Sequence, residues 1–276
     1  MKKFLIIGGD NRLIHVANYL SENYECSIFG AGQVGLLNKA ENLNEFKGDY
    51  ENIILPLPAT RENESIFAPN HNYKILINDL LPNISKEATI YIGIVNEFWR
   101  SKFPNNVLID YYDEGLAIKN TIPTAEGVVR LIMQNKQETI FGMDILVLGA
   151  GRTSKAICKL LLSLGAKVTV MARNAEEFLN LKISEVKYSE LHDFQTILPN
   201  FNTVVNTIPT PIFNAHQFKS NVKNTLFVDI STCGVFENND VPSVCDLNYI
   251  HALGIPGKYT PITAGRLIAE NILKYL

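Results

Sequence analysis

Short apolar runs alternate along the chain with segments whose apolar residues recur every three or four positions. Residues 4–7, 26–29, 52–55, 74–77, 89–94 and 107–110 read as strands. Residues 12–21 read as a helix with Leu13, Val16, Ala17 and Leu20 on one face. The alternation predicts a small parallel sheet with helices on its faces. Several of these strands run into polar or turn-forming residues, including Gly8, Gly9, Asp10 and Arg12, then Thr60 and Arg61, and Asn96. Ligands of open α/β sheets bind beyond the carboxyl ends of the strands, where such residues would lie. A Pro-Thr entry at Pro123 and Thr124 predicts a buried helix running to about Lys136, with Val128, Val129, Leu131, Ile132 and Met133 behind it. Further on, 203–207 and 226–230 read as strands and 251–259 as a glycine-proline loop. Residues 261–276 read as a last helix that returns to pack on the first domain.

The most informative stretch is 144–174. An apolar run, 145–148, enters the turn Gly149, Ala150, Gly151, Arg152, Thr153, Ser154. Ile157, Leu160, Leu161 and Leu164 follow at helical spacing, Gly165 stops the helix, and a second apolar run occupies 168–171. This is a βαβ unit with its glycines at the first strand-to-helix turn. Gly149 permits the tight turn, Gly151 lets the backbone approach a pyrophosphate, and the helix N-terminus can hold that anion. Ser154 stands where the third glycine of the fingerprint is usual, and its small side chain still permits helix–strand packing. NAD-binding units place an Asp or Glu just after the second strand to accept from the ribose 2′-OH. Here Arg173 and Asn174 follow that strand. Arg173, with Arg152 in the turn, suits a 2′-phosphate, so NADP is the expected cofactor. Thr207 and Pro209, at the end of 203–207, are expected at the nicotinamide end.

Composition changes this picture little. Of 276 residues 46% are hydrophobic and 19% charged, and the net charge is −3, which argues against nucleic acid or an anionic membrane as partner. The apolar run after Lys2 and Lys3 ends at Gly8, too short for a signal peptide. Cys26, Cys158, Cys233 and Cys245 are scattered without zinc spacing, consistent with a reduced, cytoplasmic protein and no metal site.

Separated stretches agree with one family. IIGGDNR (6–12), ILPLPAT (54–60), NTIPTAEG (120–127), VLGAGRTS (147–154), NTIP (206–209) and GIPGKYTPITAGRLIA (254–269) make the chain resemble the A subunits of dipicolinate synthase, from spore-forming bacteria. The family usually has glycine at Ser154 and a proline-glycine-glycine loop where this chain has Thr232, Cys233, Gly234 and Val235. The resemblance implies an α/β fold of two Rossmann-like, doubly wound parallel-sheet domains around a cleft. The expected boundaries are 1–122 plus 260–276 for the substrate-side domain, 123–140 for an interdomain helix, and 141–259 for the NADP domain. It implies conversion of 4-hydroxy-tetrahydrodipicolinate to dipicolinate, with loss of water and an NADP-linked oxidation. It also implies the flavoprotein-like B subunit of the synthase as partner, and action in the mother cell during sporulation.

A cyclic imine with two carboxylates needs fixed cations and hydrogen-bond donors. Arg12, Thr60, Arg61, Asn96, Thr121 and Lys258 are the candidates to bind it. For proton transfer the candidates are Asp10, Glu126 and Asp229. The alternatives are an NADP-dependent dehydrogenase of another small carboxylate, or a non-catalytic NADP-binding subunit.

Overall fold

The computed structural model describes residues 2–31, 38–39, 50–214, 222, 224–238, 243 and 247–276. It divides into two units, residues 1–120 with 256–276, and 121–255. Unit 1 carries the strands β1 (Lys3–Ile7), β2 (Glu25–Phe29), β3 (Asn38–Lys39), β4 (Asn52–Ile54), β5 (Ser65–Ile66), β6 (Ile75–Leu76), β7 (Thr89–Ile92) and β8 (Val107–Asp110). Its helices are α1 (Asn11–Leu20), α2 (Ile77–Leu80), α3 (Glu97–Lys102) and α4 (Glu114–Lys119). Unit 2 opens with α5 (Thr121–Asn135) and carries β9 (Asp144–Leu148), α6 (Arg152–Ser163), β10 (Lys167–Ala172), α7 (Ala175–Leu179) and β11 (Lys187–Glu190). It continues with α8 (Phe194–Ile197), β12 (Thr203–Asn206), β13 (Leu226–Asp229) and β14 (Asn248–His251). Two helices close the chain, α9 (Ile255–Tyr259) and α10 (Pro261–Ile272).

Among the described residues each unit holds a parallel sheet with one strand order: β3-β2-β1-β4-β7-β8 in unit 1 and β11-β10-β9-β12-β13-β14 in unit 2. The first strand of each unit therefore lies centrally, and the winding reverses beside it. Strands so placed are covered on both faces, which is why their sequences are unbroken apolar runs instead of alternating ones. Ile145, Leu146, Val147 and Leu148 of β9 are all fully buried, as are Phe4, Ile6 and Ile7 of β1. The reversal opens a crevice after β1 and after β9, where the two glycine turns, Gly8-Gly9 and Gly149-Ala150-Gly151, sit.

Four expectations need correction. Residues 74–77 do not extend the parallel sheet. Ile75–Leu76 pairs antiparallel with Ser65–Ile66, and Ile77 already begins α2. The glycine-proline loop of 251–259 contains the end of β14 and all of α9. The last helix stops at Ile272 and finishes in a 3-10 turn, Leu273–Tyr275. The helix expected over 123–140 spans Thr121–Asn135 and packs on α6 and β13 within unit 2. Cys26 and Cys158 are buried, and burial pushes both thiols up to about 12, with the Glu25 charge adding to the shift at Cys26. Cys233 is exposed, and Cys245 lies outside the described residues.

The chain returns to unit 1 through α10. Ala264, Gly265, Ile268, Ala269 and Ile272 form its buried stripe, packed on α1. Asn271 Nδ2 donates to the Tyr111 carbonyl at 2.6 Å, tying the helix to the end of β8. At the crossing a Cβ on Gly265 would stand 2.5 Å from the Arg12 carbonyl oxygen and 2.7 Å from His15 Cβ. In an open helix Gly→Ala gains about 1 kcal/mol of propensity. Here the overpacking outweighs that gain, so Gly265→Ala is expected to destabilise unit 1 by about 1–3 kcal/mol, read as a lowered urea midpoint at unchanged slope.

Candidate dinucleotide site

The turn after β9 is built by a stack of small groups. Gly149 adopts φ +97°, and a Cβ there would meet Thr207 Oγ1 at 2.6 Å and Ile208 Cγ1 at 3.1 Å. Backbone and neighbours thus both demand glycine. Thr207 Oγ1 donates to the Leu148 carbonyl at 2.8 Å, which leaves the Ser154 hydroxyl to donate to Thr207 Oγ1 at 2.6 Å. Ser154 is fully buried. Its hydroxyl fills the helix–strand contact where the fingerprint has its third glycine, so it serves the fold and does not face a ligand.

Among the described residues nothing in the protein requires glycine at position 151. Its φ of −81° and ψ of −177° suit any residue, and among the described residues a Cβ would meet no atom within 4 Å. It is the N-cap of the twelve-residue α6 without a side chain to cap with. The open space before a helix N-terminus, with its first-turn N–H groups and positive dipole end, is what a pyrophosphate would fill. The contrasting turn in unit 1 is closed. A Cβ on Gly8 would meet Ile66 Cγ2 at 2.7 Å, and Gly9 N donates to Phe67 O at 2.7 Å. The residues of unit 2 fit a dinucleotide, and those of the Gly8-Gly9 turn do not.

A cavity of about 550 Å³ opens over this turn, within the range of small-molecule sites. Gly149, Gly151, Arg152 and Thr153 form its floor, and Arg173, Thr207 and Pro209 stand on its walls. Asn174 does not line it. Its Oδ1 accepts from Glu177 N at 2.9 Å as the N-cap of α7. Sequence reasoning missed Glu177, which does line the cavity and holds Arg173 (Nη2–Oε1 2.5 Å). The signal was present, since Asn174 followed three residues later by a glutamate is a capping-box pattern that turns the glutamate back toward the helix start.

The other candidates are dispersed. Asp229 is fully buried at the end of β13. Its Oδ1 accepts from Asn206 Nδ2 (2.8 Å), Ser231 N (2.9 Å) and Ser231 Oγ (2.7 Å). Its Oδ2 accepts from Val235 N (2.6 Å) and the Tyr249 hydroxyl (3.0 Å). Five donors on about four lone-pair sites leave no room for a proton-transfer role; Asp229 pins the 231–235 loop to the sheet. Burial, and then the Asp229 charge, push the Tyr249 phenol up. In unit 1, Asp10 caps α1 by accepting from Arg12 N at 3.0 Å, and its carboxylate takes Arg12 Nε at 2.8 Å and Nη2 at 2.9 Å. Arg12, 8% exposed, also donates to Leu57 O at 2.7 Å. Burial works against its charge, and the hydrogen bonds and charge of Asp10 more than offset it. This pair is occupied by the fold.

Thr60 Oγ1 accepts from Asn63 N at 3.0 Å, and Asn96 caps α3 by accepting from Trp99 N at 3.2 Å. Arg61 lies over the Phe67 ring, 4.4 Å from its centroid, beside a second hollow of about 280 Å³. Thr121 is buried at the start of α5, Glu126 is exposed on the same helix, and Lys258 is exposed on α9. No group of metal-ligating residues occurs among the described residues.

Residues 3–110 match the N-terminal domain of the dipicolinate synthase A subunit, and residues 131–247 match shikimate/quinate 5-dehydrogenase. The A subunit of dipicolinate synthase from Bacillus subtilis is 27% identical over 285 residues, spanning 99% of this chain and 95% of that protein. The crystal structure of the Bacillus halodurans dipicolinate synthase A subunit superposes with a TM-score of 0.84 at 25% identity, over 99% of this chain and 97% of that one. A transhydrogenase from Sinorhizobium meliloti shares the fold alone, at 13% identity and a TM-score of 0.66 over 99% and 92% of the two chains. In sequence over nearly its whole length and in fold, the chain is similar to the A subunits of dipicolinate synthase.

Proposed function

We propose that this chain is the NADP-binding subunit of a dipicolinate synthase, taking 4-hydroxy-tetrahydrodipicolinate to dipicolinate. The single observation that carries the cofactor half is the open space at Gly151 before α6, where among the described residues no protein atom approaches a Cβ. The match of 131–247 to a dehydrogenase family supports a nicotinamide cofactor. The reaction removes one water and two hydrogens, and NADP+ when bound accepts a hydride. The residues do the rest. The turn from Gly149 to Thr153 holds the pyrophosphate, Arg173 takes the 2′-phosphate, and Thr207 and Pro209 wall the nicotinamide end. Loss of water leads toward an aromatic ring, so the protein contributes mainly orientation. Arg61 and Lys258, exposed in unit 1, are the cations we assign to the substrate carboxylates. The B subunit of the synthase is the partner implied by relatives that are themselves named as A subunits.

One observation favours a second reading, in which chemistry needs the partner. Asp10 and Asp229, two of three carboxylates expected to move protons, are taken up by the fold. The deciding assay supplies purified chain with 4-hydroxy-tetrahydrodipicolinate and NADP+, with and without the B subunit, following dipicolinate by terbium luminescence and NADPH by absorbance. The first reading expects both products from this chain alone. Product only with the partner selects the second, and none in either arm sinks both.

Two substitutions test the cofactor site. Gly151→Ser keeps a good N-cap, and its Cβ meets no atom of the described residues within 4 Å. It is expected to leave unfolding free energy within about 0.5 kcal/mol and to weaken NADPH at least about tenfold, one hydrogen-bonded contact to a charged group or more. Unchanged affinity, by fluorescence titration, would remove the pyrophosphate assignment. Arg173→Ala removes the arginine that follows β10 at the cavity and takes away the ion-pair partner of Glu177. NADPH is expected to weaken about 10- to 100-fold, the scale of a charged hydrogen bond, and NADH far less. Equal losses would remove the NADP assignment.

A further inference from the structure

The cavity wall carries a charge pair. Arg173 follows β10 and Glu177 lies one turn into α7, and both face the same cavity. Their side chains differ in freedom. Arg173 is 78% exposed and Glu177 32%. The glutamate is also held by its backbone, whose N–H is taken by the Asn174 cap. Glu177 is thus the more buried member of the pair and Arg173 the more exposed one. A ribose 2′-OH needs an acceptor, and a 2′-phosphate, with a charge near −2 at neutral pH, needs a cation. The wall presents both, already engaged with each other.

We propose that Glu177 is a specificity-determining residue that works against a 2′-phosphate by neutralising the Arg173 guanidinium. This rests on the reading of the cavity as a dinucleotide site and sharpens it. Arg173 selects for the phosphate, and Glu177 sets how strongly. A ligand with a 2′-phosphate must draw Arg173 away from the carboxylate and then sit close to that negative charge. A ligand with a free 2′-OH meets neither cost.

The test uses the intact chain and two adenine nucleotides, 2′,5′-ADP and 5′-AMP, titrated calorimetrically, so that binding is read without turnover. Glu177→Gln keeps the size of the side chain and an acceptor for Arg173 while deleting the charge. We expect 2′,5′-ADP to tighten by about fivefold, the scale of one partly exposed charge pair, with 5′-AMP changed less than about twofold. Glu176→Gln is the control, since it deletes the same charge from an exposed neighbour on α7 that does not line the cavity. It should shift neither nucleotide by more than about twofold, the size of a screened surface charge. The proposal falls if Glu177→Gln leaves 2′,5′-ADP unchanged, if Glu176→Gln reproduces the gain, or if 5′-AMP weakens, which would make Glu177 a ribose acceptor. Failure of the wild-type chain to bind either nucleotide would overturn the dinucleotide reading itself and this proposal with it.

Discussion

The architecture of unit 2 depends on one contact, the approach of Thr207 to Gly149. Gly149 must be glycine twice over, because its φ is +97° and because Thr207 Oγ1 would stand only 2.6 Å from a Cβ there. The Thr207 hydroxyl in turn donates to Leu148 O and receives from Ser154, so three segments meet at one oxygen. The end of β9, the first turn of α6 and the residue after β12 are thereby fixed together. Register does the rest. β9 pairs with β10 on one side and β12 on the other, which puts the loops after all three strands around the same opening. The cavity is preformed because hydrogen bonds that close the fold also define its floor.

The chain uses the same device twice with opposite results, and the difference lies in what packs on the glycines. Both units share a strand order, and both place glycines after the central first strand. After β1, the β5–β6 hairpin folds over the turn and puts Ile66 and Phe67 against Gly8 and Gly9. Asp10 then caps α1, and a Cβ on Gly257 of α9 would stand 2.5 Å from Asp10 Oδ2. Glycine there serves packing of protein on protein. After β9 nothing comparable covers Gly151 among the described residues. A glycine-rich motif therefore states only that something approaches the backbone closely. Whether that something is the chain or a ligand is decided by a hairpin far off in sequence.

This explains what the sequence allowed one to read. Buried parallel strands were legible because burial on both faces leaves an apolar run with no competing pattern, as in β1, β9, β12 and β13. The outer strands β11 and β14 were not. Lys187–Glu190 and Asn248–His251 are partly exposed polar segments whose extended form comes from pairing with β10 and β13, not from local preference. The site divides in the same way. Gly149, Gly151, Arg152 and Thr153 adjoin in sequence and line the cavity together, whereas Glu177 enters only because the Asn174 cap sets the start of α7. A rule that looks for a carboxylate directly after the second strand passes over one that arrives a helical turn later.

Aspartates at strand ends show the limit most sharply, because position alone makes them look chemical. Asp10 and Asp229 both lie at the ends of inner strands, where catalytic groups of open α/β sheets gather. Yet the environment of each is one of complete hydrogen-bond satisfaction. Asp10 faces the fork of a buried arginine, and Asp229 faces two backbone amides, two hydroxyls and an amide side chain. A general acid or base must exchange a proton with its substrate, which needs a lone pair turned to the ligand. Removing either aspartate would leave buried donors unpaired, each costing about 1–3 kcal/mol, so a loss of activity on mutation would report collapse of a loop and not loss of a proton shuttle. Tyr249 carries the distinguishing signal. Its phenol is held up by burial and by the Asp229 charge, so an Asp229→Asn chain that keeps the loop should release the Tyr249 titration downward. A chain that loses the loop loses the burial as well, which is the larger cause, and its Tyr249 phenol would fall the rest of the way to the range of an exposed tyrosine.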